Sequence, residues 1–222
     1  MLPHISAKPL CFPCSLPTSP IGSWTLLAEN QILASSKCSS LFKNGEILFE
    51  ESKEGPPSRA YLKLYEALTR TGKIPQSGDF CIDAGGSPGG WTWVIQKLGA
   101  RVLSIDRSPL APKIASLSNV EYQKADVFSI KPSDYDKVDW LFSDVICFPE
   151  KLFDWISLWF ESKKCKNFIC TIKFQGSPDY SFAKKFLEIE GSQVVHLYNN
   201  KHELTFMHIH KNKAGKIEHK TN

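Results

Sequence analysis

The stretch FCIDAGGSPGGWTW, residues 80–93, places four glycines and a proline between a short apolar run and a pair of tryptophans. Gly85 and Gly86 permit backbone angles closed to other residues and leave no side chain facing an approaching molecule. In open parallel sheets, ligands bind beyond the carboxyl ends of the strands, near the first strand-to-helix turn. The stretch therefore predicts a strand at 79–83, a helix at 89–98 and a ligand-binding loop between them.

On both sides of this loop, short apolar runs alternate with segments of helical length. The segment SRAYLKLYEALTRTG predicts a helix with Ser58 as its N-cap and Gly72 as its stop. Such alternation is typical of βαβ units and predicts an α/β protein with a Rossmann-like, mostly parallel, doubly wound sheet. The alternating run at 203–210 predicts an antiparallel last strand. Further strands are expected at 101–105, 119–123, 138–143, 167–173 and 193–198, and further helices at 109–116, 149–163 and 179–190.

Composition divides the chain into four segments. Residues 1–22 are rich in proline and serine, and we expect them to be extended or poorly ordered. Residues 23–57 hold two short strand-like runs joined by a polar turn at Glu29 and Asn30, and predict a small β appendage. Residues 58–211 are expected to form the main domain. Residues 212–222 form a basic tail, for which solvation is the plainest role.

The overall composition excludes several classes of protein. A hydrophobic fraction of 42% with 23% charged residues is typical of a folded chain, and the formal net charge of +4 permits an anionic partner without requiring one. No apolar run is long enough to span a membrane. Seven cysteines are an odd number, and no secretory leader precedes them, so we expect a reduced, cytoplasmic protein. Cys11 and Cys14 lack a second pair at zinc-site spacing, and no metal is predicted.

Two acidic residues mark the glycine loop as a ligand site. Asp83 begins the loop, and Asp106 ends the next strand, 20 positions beyond Gly86, where a carboxylate can bind a ribose diol. A dinucleotide would favour G-x-G-x-x-G and a pyrophosphate on the helix N-terminus, but Pro88 removes one amide donor. Asp83 suits a cation better, and S-adenosylmethionine carries an ammonium, a sulfonium and a ribose diol. The loop favours S-adenosylmethionine, with a nicotinamide dinucleotide or a purely structural turn as alternatives.

A third acidic residue, Asp126, follows the third strand. In this topology it would lie near the adenine edge, where its carboxylate could accept from the exocyclic amine, although an N-cap role is an equally simple interpretation. The candidate cofactor-binding residues are therefore Asp83, Gly85, Gly86, Pro88, Gly89, Gly90, Trp91, Asp106 and Asp126.

Four further polar residues stand at the ends of predicted elements or within a helix. Asp144 ends the fourth strand, Lys173 ends the fifth, Lys63 lies in the helix before the loop, and Glu203 opens the last strand. A lysine that closes an apolar central strand is uncommon unless a function requires it. In a parallel sheet, Asp144 and Lys173 would emerge at the same edge as the glycine loop. A structural ion pair between them is the alternative.

The chain resembles a known family through several motifs in one order. PPSRAYLKL, DAGGSPGGWT, SDV, IKFQG and HELTF follow the order found in FtsJ-like RNA 2′-O-ribose methyltransferases, and the resemblance covers residues 23–211. Within the family it is strongest to bacterial enzymes that methylate a cytidine ribose of 23S ribosomal RNA. Those enzymes carry an N-terminal RNA-binding region of THUMP type, which we do not expect in this chain. The exchange of Asp-Leu-Gly-Ala for Asp-Ala-Gly-Gly in the loop keeps the residues small.

The resemblance implies a catalytic tetrad of Lys63, Asp144, Lys173 and Glu203, with S-adenosyl-L-methionine as cofactor and RNA, ribosomal RNA first of all, as substrate. It makes Lys173 the base that takes the proton of the ribose hydroxyl. A lysine at its reference pKa of ~10.4 is protonated at neutral pH, so Lys63 and desolvation would have to favour the neutral form. Asp144 would orient Lys173, and Glu203 would either pair with Lys63 or fix the ribose.

Two other functions stay open at this point. A nicotinamide-dependent oxidoreductase could use the same sheet, and a catalytically silent RNA-binding assembly factor could keep the fold. The filled tetrad argues against the second. Arg59, Lys63, Lys201, Lys211 and Lys213 are candidates for a basic rim that contacts RNA. The oligomeric state is left open by the sequence.

Overall fold

The computed structural model describes residues 8–175 and 180–210. The chain divides into two compact units between Glu51 and Ser52. A domain boundary between residues 57 and 58 stays a prediction, and the predicted basic tail lies outside the described residues.

The first unit contains an antiparallel hairpin, in which β1 (Ser23–Ala28) pairs with β2 (Gln31–Ser35). The turn between them is formed by Glu29 and Asn30, as the sequence predicts. Both strands are exposed along their whole length, and their large apolar side chains include Trp24, which is 53% exposed. Nearer the N-terminus, the backbone amide of Leu10 donates to the carbonyl of Leu48.

The second unit is built on a seven-stranded sheet whose strand order is β5-β4-β3-β6-β7-β9-β8. The pairs from β5 to β7 are parallel, and β9 is antiparallel to both of its neighbours. The predicted α/β class with an antiparallel last strand is therefore confirmed, with β9 inserted between β7 and the edge strand β8. The strands are β3 (Phe80–Ala84), β4 (Arg101–Asp106), β5 (Val120–Lys124), β6 (Val138–Ser143), β7 (Cys165–Lys173), β8 (Ser192–Val195) and β9 (Glu203–His208).

Five α-helices accompany the described part of this sheet. α1 packs on α2, and α4 packs on α5. The helices are α1 (Tyr61–Thr71), α2 (Gly90–Lys97), α3 (Pro112–Ala115), α4 (Pro149–Ser162) and α5 (Ser181–Glu188). α3 is a single turn, shorter than the predicted 109–116, because Ala111 precedes Pro112 and keeps an extended backbone (ψ 137°). The amide of Ala111 donates to the carbonyl of Pro88.

The ends of α1 differ in how well the sequence predicts them. Gly72 adopts the left-handed conformation (φ 67°) and ends the helix as expected. The prediction of Ser58 as N-cap is wrong, because Ala60 occupies that position. The buried Ser58 hydroxyl faces α2 instead, where a Cβ added to Gly90 would lie 2.7 Å from Ser58 Oγ.

β8 is shorter than the predicted 193–198 for a reason that lies in α1. The carboxylate of Glu66, which is fully buried, accepts from the backbone amides of Tyr198 and Asn199 at 3.0 and 3.1 Å. These two amides therefore leave the strand ladder. The interaction holds the segment that leads into β9 against α1.

The two faces of the sheet have separate cores. One face packs on α4 and α5 through large side chains such as Trp155, Trp159 and Phe186, all buried. On the other face, the ring of Trp91 in α2 meets the ring of Phe142 in β6 edge to face, with 6.3 Å between centroids. Because β3, β4, β6 and β7 are parallel, their carboxyl ends meet at one edge of the sheet, which is covered on both faces.

Candidate active site

Four polar side chains converge at the carboxyl edge of the sheet, each brought there by a different element. Lys63 lies in the first turn of α1, and Asp144 directly follows β6. Lys173 is the last residue of β7 and Glu203 the first of β9, and the antiparallel register sets these two opposite each other. Residues separated by up to 140 positions in sequence thus share one site.

Asp144 is the centre of this cluster. Lys63 Nζ donates to Asp144 Oδ1 at 2.9 Å and to Oδ2 at 3.0 Å, and Lys173 Nζ lies 3.0 Å from the same Oδ1. Lys173 also donates to the backbone carbonyl of Asp144. Lys63 Nζ reaches Glu203 Oε1 at 2.7 Å. Two lysines and two carboxylates therefore form one connected network, which we call the tetrad.

The tetrad is largely withdrawn from solvent, and this affects its charges. The four side chains are between 10% and 19% exposed. Burial lowers the pKa of Lys63, but the charges and hydrogen bonds of Asp144 and Glu203 together outweigh it, so the pKa is raised. Lys63 is therefore a fixed cation at neutral pH, held between two carboxylates.

The glycine loop lies beside the tetrad, and its glycines are required by close contacts. At Gly85 (φ 84°) an added Cβ would lie 2.8 Å from Cα of Val145, the residue after Asp144. A Cβ added to Gly86 would lie 2.2 Å from Ser104 Oγ and 2.8 Å from Asp83 Oδ2. The loop is therefore wedged between β4 and the segment that follows β6.

The last four predicted loop residues connect the loop to the helices. Gly89 (φ 112°) is the N-cap of α2, and a Cβ added to it would lie 2.8 Å from Cγ2 of Ile114 in α3. Gly90 opens α2, the carbonyl of Pro88 accepts from Ala111, and the Trp91 indole donates to the carbonyl of Ala60 at 2.9 Å. These are structural contacts that fix the loop to α1 and α3.

Asp83 lies beneath the loop, with no exposed surface. Its Oδ2 accepts from the hydroxyl of Thr92 at 2.6 Å, while Oδ1 has no hydrogen-bond partner among the described residues. Burial raises the pKa of Asp83 to about 7, with smaller contributions from the negative charges of Asp144 and Asp106. A cation close to this loop would therefore favour the ionised form of Asp83.

Asp106 and Asp126 stand at the ends of neighbouring strands. The Asp106 carboxylate accepts from the amides of Ser87 and Ser108 at 3.1 and 2.8 Å, which ties the loop to β4. Asp126 caps a short 3₁₀ turn by accepting from the amide of Phe128, and this bond lowers its pKa. The capping role, the alternative from sequence, is thus present, while the contact with adenine stays a prediction.

A cavity of about 590 Å³ runs from these acids to the tetrad. The predicted residues on its wall are Gly85, Asp106, Asp126, Asp144 and Lys173. The other predicted residues do not line it; these are Lys63, Asp83, Gly86, Pro88, Gly89, Gly90, Trp91 and Glu203. Nucleotide-sized ligands occupy cavities of this volume. The wall of the cavity thus includes the carboxylates of Asp106 and Asp126, which are suited to a ribose, and the tetrad residues Asp144 and Lys173.

Sequence reasoning missed the apolar wall of this cavity. Val127 and Phe128 form one part, and Ile146 and Phe148 another. Ile146 and Phe148 are 75% and 62% exposed, which is unusual for such large apolar side chains. The signal was present in ICF, residues 146–148, an apolar triplet placed between a strand end and a helix start. An exposed apolar surface of this kind is suited to cover a flat aromatic ring.

S-adenosylmethionine fits the donor groups of this site. The buried Asp83 Oδ1 has no hydrogen-bond partner among the described residues and is suited to balance an ammonium, and a Cβ added to Gly86 would lie 2.2 Å from Ser104 Oγ. No cluster of metal-ligating side chains occurs in residues 8–175 and 180–210. Within the same ranges, no helix has the length and apolarity needed to cross a bilayer.

Comparison with protein families gives a match over residues 56–218, to the FtsJ-like methyltransferases. The match spans the glycine loop and all four tetrad residues. The chain belongs to the FtsJ-like methyltransferase family. The predicted resemblance to this family is confirmed.

A curated relative is the ribosomal RNA large subunit methyltransferase M of Halorhodospira halophila, 32% identical over 157 residues. The aligned part covers 67% of this chain and 46% of the relative. The proteins of the same description from Histophilus somni and Xanthomonas oryzae are 29% and 30% identical with similar coverage. The chain therefore spans about half the length of the curated relatives it matches.

Solved structures support the fold. A protein from Lactococcus lactis described as a hemolysin has a TM-score of 0.53 at 20% identity, over 70% of this chain and 89% of that one. A Plasmodium falciparum protein described as a ribosomal RNA methyltransferase has a TM-score of 0.51 at 16% identity, over 68% of this chain and 96% of that one. At such identities the likeness concerns the sheet and its helices and not the chemistry.

Proposed function

We propose that this FtsJ-like protein is an S-adenosylmethionine-dependent RNA methyltransferase that modifies a ribose 2′-hydroxyl, with ribosomal RNA as its substrate. The observation that carries the proposal is the tetrad at the end of the cavity, where Lys173 and Asp144 face open space. The relatives described as ribosomal RNA methyltransferases support the choice of RNA.

The methyl donor binds along the cavity wall. Asp106 accepts from the ribose diol while its bonds to Ser87 and Ser108 hold it in place. Phe148 and Ile146 cover the adenine with apolar surface, and Asp126 lies at the same end of the cavity. Asp83 attracts the ammonium by its charge beneath the loop. When bound, S-adenosylmethionine supplies an activated methyl group on a sulfonium.

The tetrad residues divide the work by their placement. Lys63 is bound to both carboxylates and stays protonated, so it orients Asp144 and Glu203. Lys173 borders the cavity and is the group that takes the proton from the 2′-hydroxyl. Bound S-adenosylmethionine would supply the methyl group and leave as S-adenosylhomocysteine, while Lys173 would hold the proton released by the hydroxyl oxygen that takes the methyl group. Asp144 stabilises the cation that results.

The proposal is tested by replacing Lys173 with Ala and with Arg. Arg keeps the positive charge but cannot act as a base, so both variants should lose methyl transfer by more than about 100-fold. Transfer of labelled methyl groups to large-subunit ribosomal RNA transcribed in vitro measures this loss. Mapping of ribose 2′-O-methylation in the product identifies the atom that is modified.

Binding and a matched lysine provide the controls. S-adenosylhomocysteine should stabilise the wild type and both variants equally in thermal melts, whereas NAD should stabilise none of them. Lys166→Ala removes an exposed lysine at the other end of β7 and should leave transfer unchanged. Methyl transfer at the wild-type rate by Lys173→Arg would rule out Lys173 as the base. Thermal stabilisation by NAD and not by S-adenosylhomocysteine would rule out methyltransferase activity.

A further inference from the structure

A second cavity, of about 290 Å³, borders the tetrad at Glu203. It includes Glu203 and Phe174, the residue that follows Lys173. Its lining residues and those of the larger cavity form two separate sets. Both cavities therefore border the tetrad, and the larger one has the features of the donor site.

One side of the second cavity is aromatic. The rings of Phe174 and Tyr180 are 4.9 Å apart at 60°, and Tyr180 remains 55% exposed. An aromatic ring that the protein leaves half uncovered is available for stacking with a flat partner. Nucleobases stack on such side chains irrespective of their sequence.

Most of the remaining lining of this cavity is polar. It is formed by His196, Lys201 and His202, all exposed, and a contact of 3.0 Å between His196 Nε2 and the carbonyl of Lys201 links two of them. This segment is also anchored, because Glu66 binds the amides just before it, at residues 198 and 199. A lysine on an anchored turn is suited to contact a phosphate.

We propose that the second cavity binds the target nucleotide of the RNA, with its base against Tyr180 and Phe174 and its phosphate beside Lys201. This inference rests on the proposed function. Glu203 would then face the ribose, since its Oε1 is held by Lys63 at the boundary of the cavity. A volume near the lower limit for ligand pockets, about 300 Å³, fits one nucleotide but not a base pair. The RNA must therefore present this nucleotide unpaired.

The test compares three side chains at position 180. Tyr180→Leu keeps an apolar side chain but cannot stack, and should raise the KM for large-subunit ribosomal RNA transcribed in vitro about tenfold. Tyr180→Phe retains the ring and should stay close to the wild type. The affinity for S-adenosylhomocysteine, measured by calorimetry, should be unchanged in both variants because the donor binds in the other cavity.

Tyr198→Leu is the matched control, since Tyr198 is 46% exposed and does not line the second cavity. An unchanged KM for Tyr180→Leu, or an equal rise for Tyr198→Leu, would overturn the inference while leaving the proposed function intact. Absence of methyl transfer by the wild type would overturn the proposed function and this inference with it. Cross-linking of RNA that contains 5-iodocytidine gives a second measurement: adducts at Tyr180 support the inference, and adducts confined to residues outside this cavity contradict it.

Discussion

Lys63 Nζ donates to both carboxylate oxygens of Asp144, at 2.9 and 3.0 Å, and is thereby fixed beneath the group that also holds Lys173. Both lysines contact the same oxygen, Asp144 Oδ1, and of the two only Lys173 borders the larger cavity. Lys63 is therefore a positioning residue, whereas Lys173 is placed to meet the substrate. This division of roles leads to different expectations for the two lysines.

Replacing Lys63 by Met should reduce both stability and activity. It would leave Asp144 and Glu203 without their shared cation, and breaking a buried pair costs about 3–5 kcal/mol of the free energy of unfolding. Because the pKa of Lys63 is raised on folding, this contribution is complete at neutral pH and is lost as pH rises through the folded pKa. Urea denaturation at pH 7 measures the loss.

Lys184→Met is the control, since Lys184 is an exposed lysine of α5. It should leave the free energy of unfolding within about 0.5 kcal/mol of the wild type. If Lys63→Met were as stable as this control, the tetrad would not depend on its central cation.

Asp83→Asn should change the pH dependence of stability. The pKa of Asp83 is raised to about 7 in the folded protein, so between its unfolded pKa of ~3.9 and 7 the native state binds the extra proton. Stability therefore falls as pH rises through this window, by on the order of 4 kcal/mol in total. Asn cannot ionise, and the variant should be more stable than the wild type at pH 8 but not at pH 4.5.

Urea midpoints measured on both proteins from pH 4.5 to pH 8 test this expectation. A saturating concentration of S-adenosylhomocysteine should reduce the difference at pH 8, since its ammonium would balance the charge of Asp83. A difference in stability that is constant across the whole range would show that Asp83 keeps an ordinary pKa in the folded protein.

The positions of the strand ends in the sequence predicted which residues meet at this edge of the sheet. Asp106, Asp144 and Lys173 each end an apolar strand, and strand ends of a parallel sheet must share an edge. The network that joins Lys63 to Glu203 could not be obtained in this way, because it depends on the register of β9 against β7. That register is set by contacts far apart in the chain.

Other differences have local physical causes that no periodicity reveals. The early end of β8 follows from the buried carboxylate of Glu66, which binds two amides 132 and 133 positions away. Serine is a residue type that favours the N-cap position, but the hydroxyl of Ser58 packs against Gly90 instead. In both cases a tertiary contact outweighs a local preference.

Asp106→Asn should weaken binding of the donor and loosen the attachment of the glycine loop to β4. The amide oxygen can replace only one of two acceptors, and hydrogen bonds to a charged acceptor contribute about 1.5–3 kcal/mol, so the Kd for S-adenosylhomocysteine should rise about 10- to 100-fold. Calorimetry measures the Kd. Asp154→Asn, at an exposed position on α4, should leave it unchanged. Equal affinities of the two variants would exclude Asp106 from the donor site.

The contact between Gly86 and Ser104 can be tested by a double-mutant cycle. Gly86→Ala places a Cβ 2.2 Å from Ser104 Oγ and should destabilise the protein by about 3 kcal/mol, as overpacking does. Ser104→Ala should cost little, because that buried hydroxyl has no hydrogen-bond partner among the described residues. In the double variant the second change relieves part of the first, so the two costs should fall short of additivity by more than about 1 kcal/mol. Urea denaturation of the four proteins gives the coupling. Strict additivity would mean that the loop can move away from β4 to make room for the added methyl group.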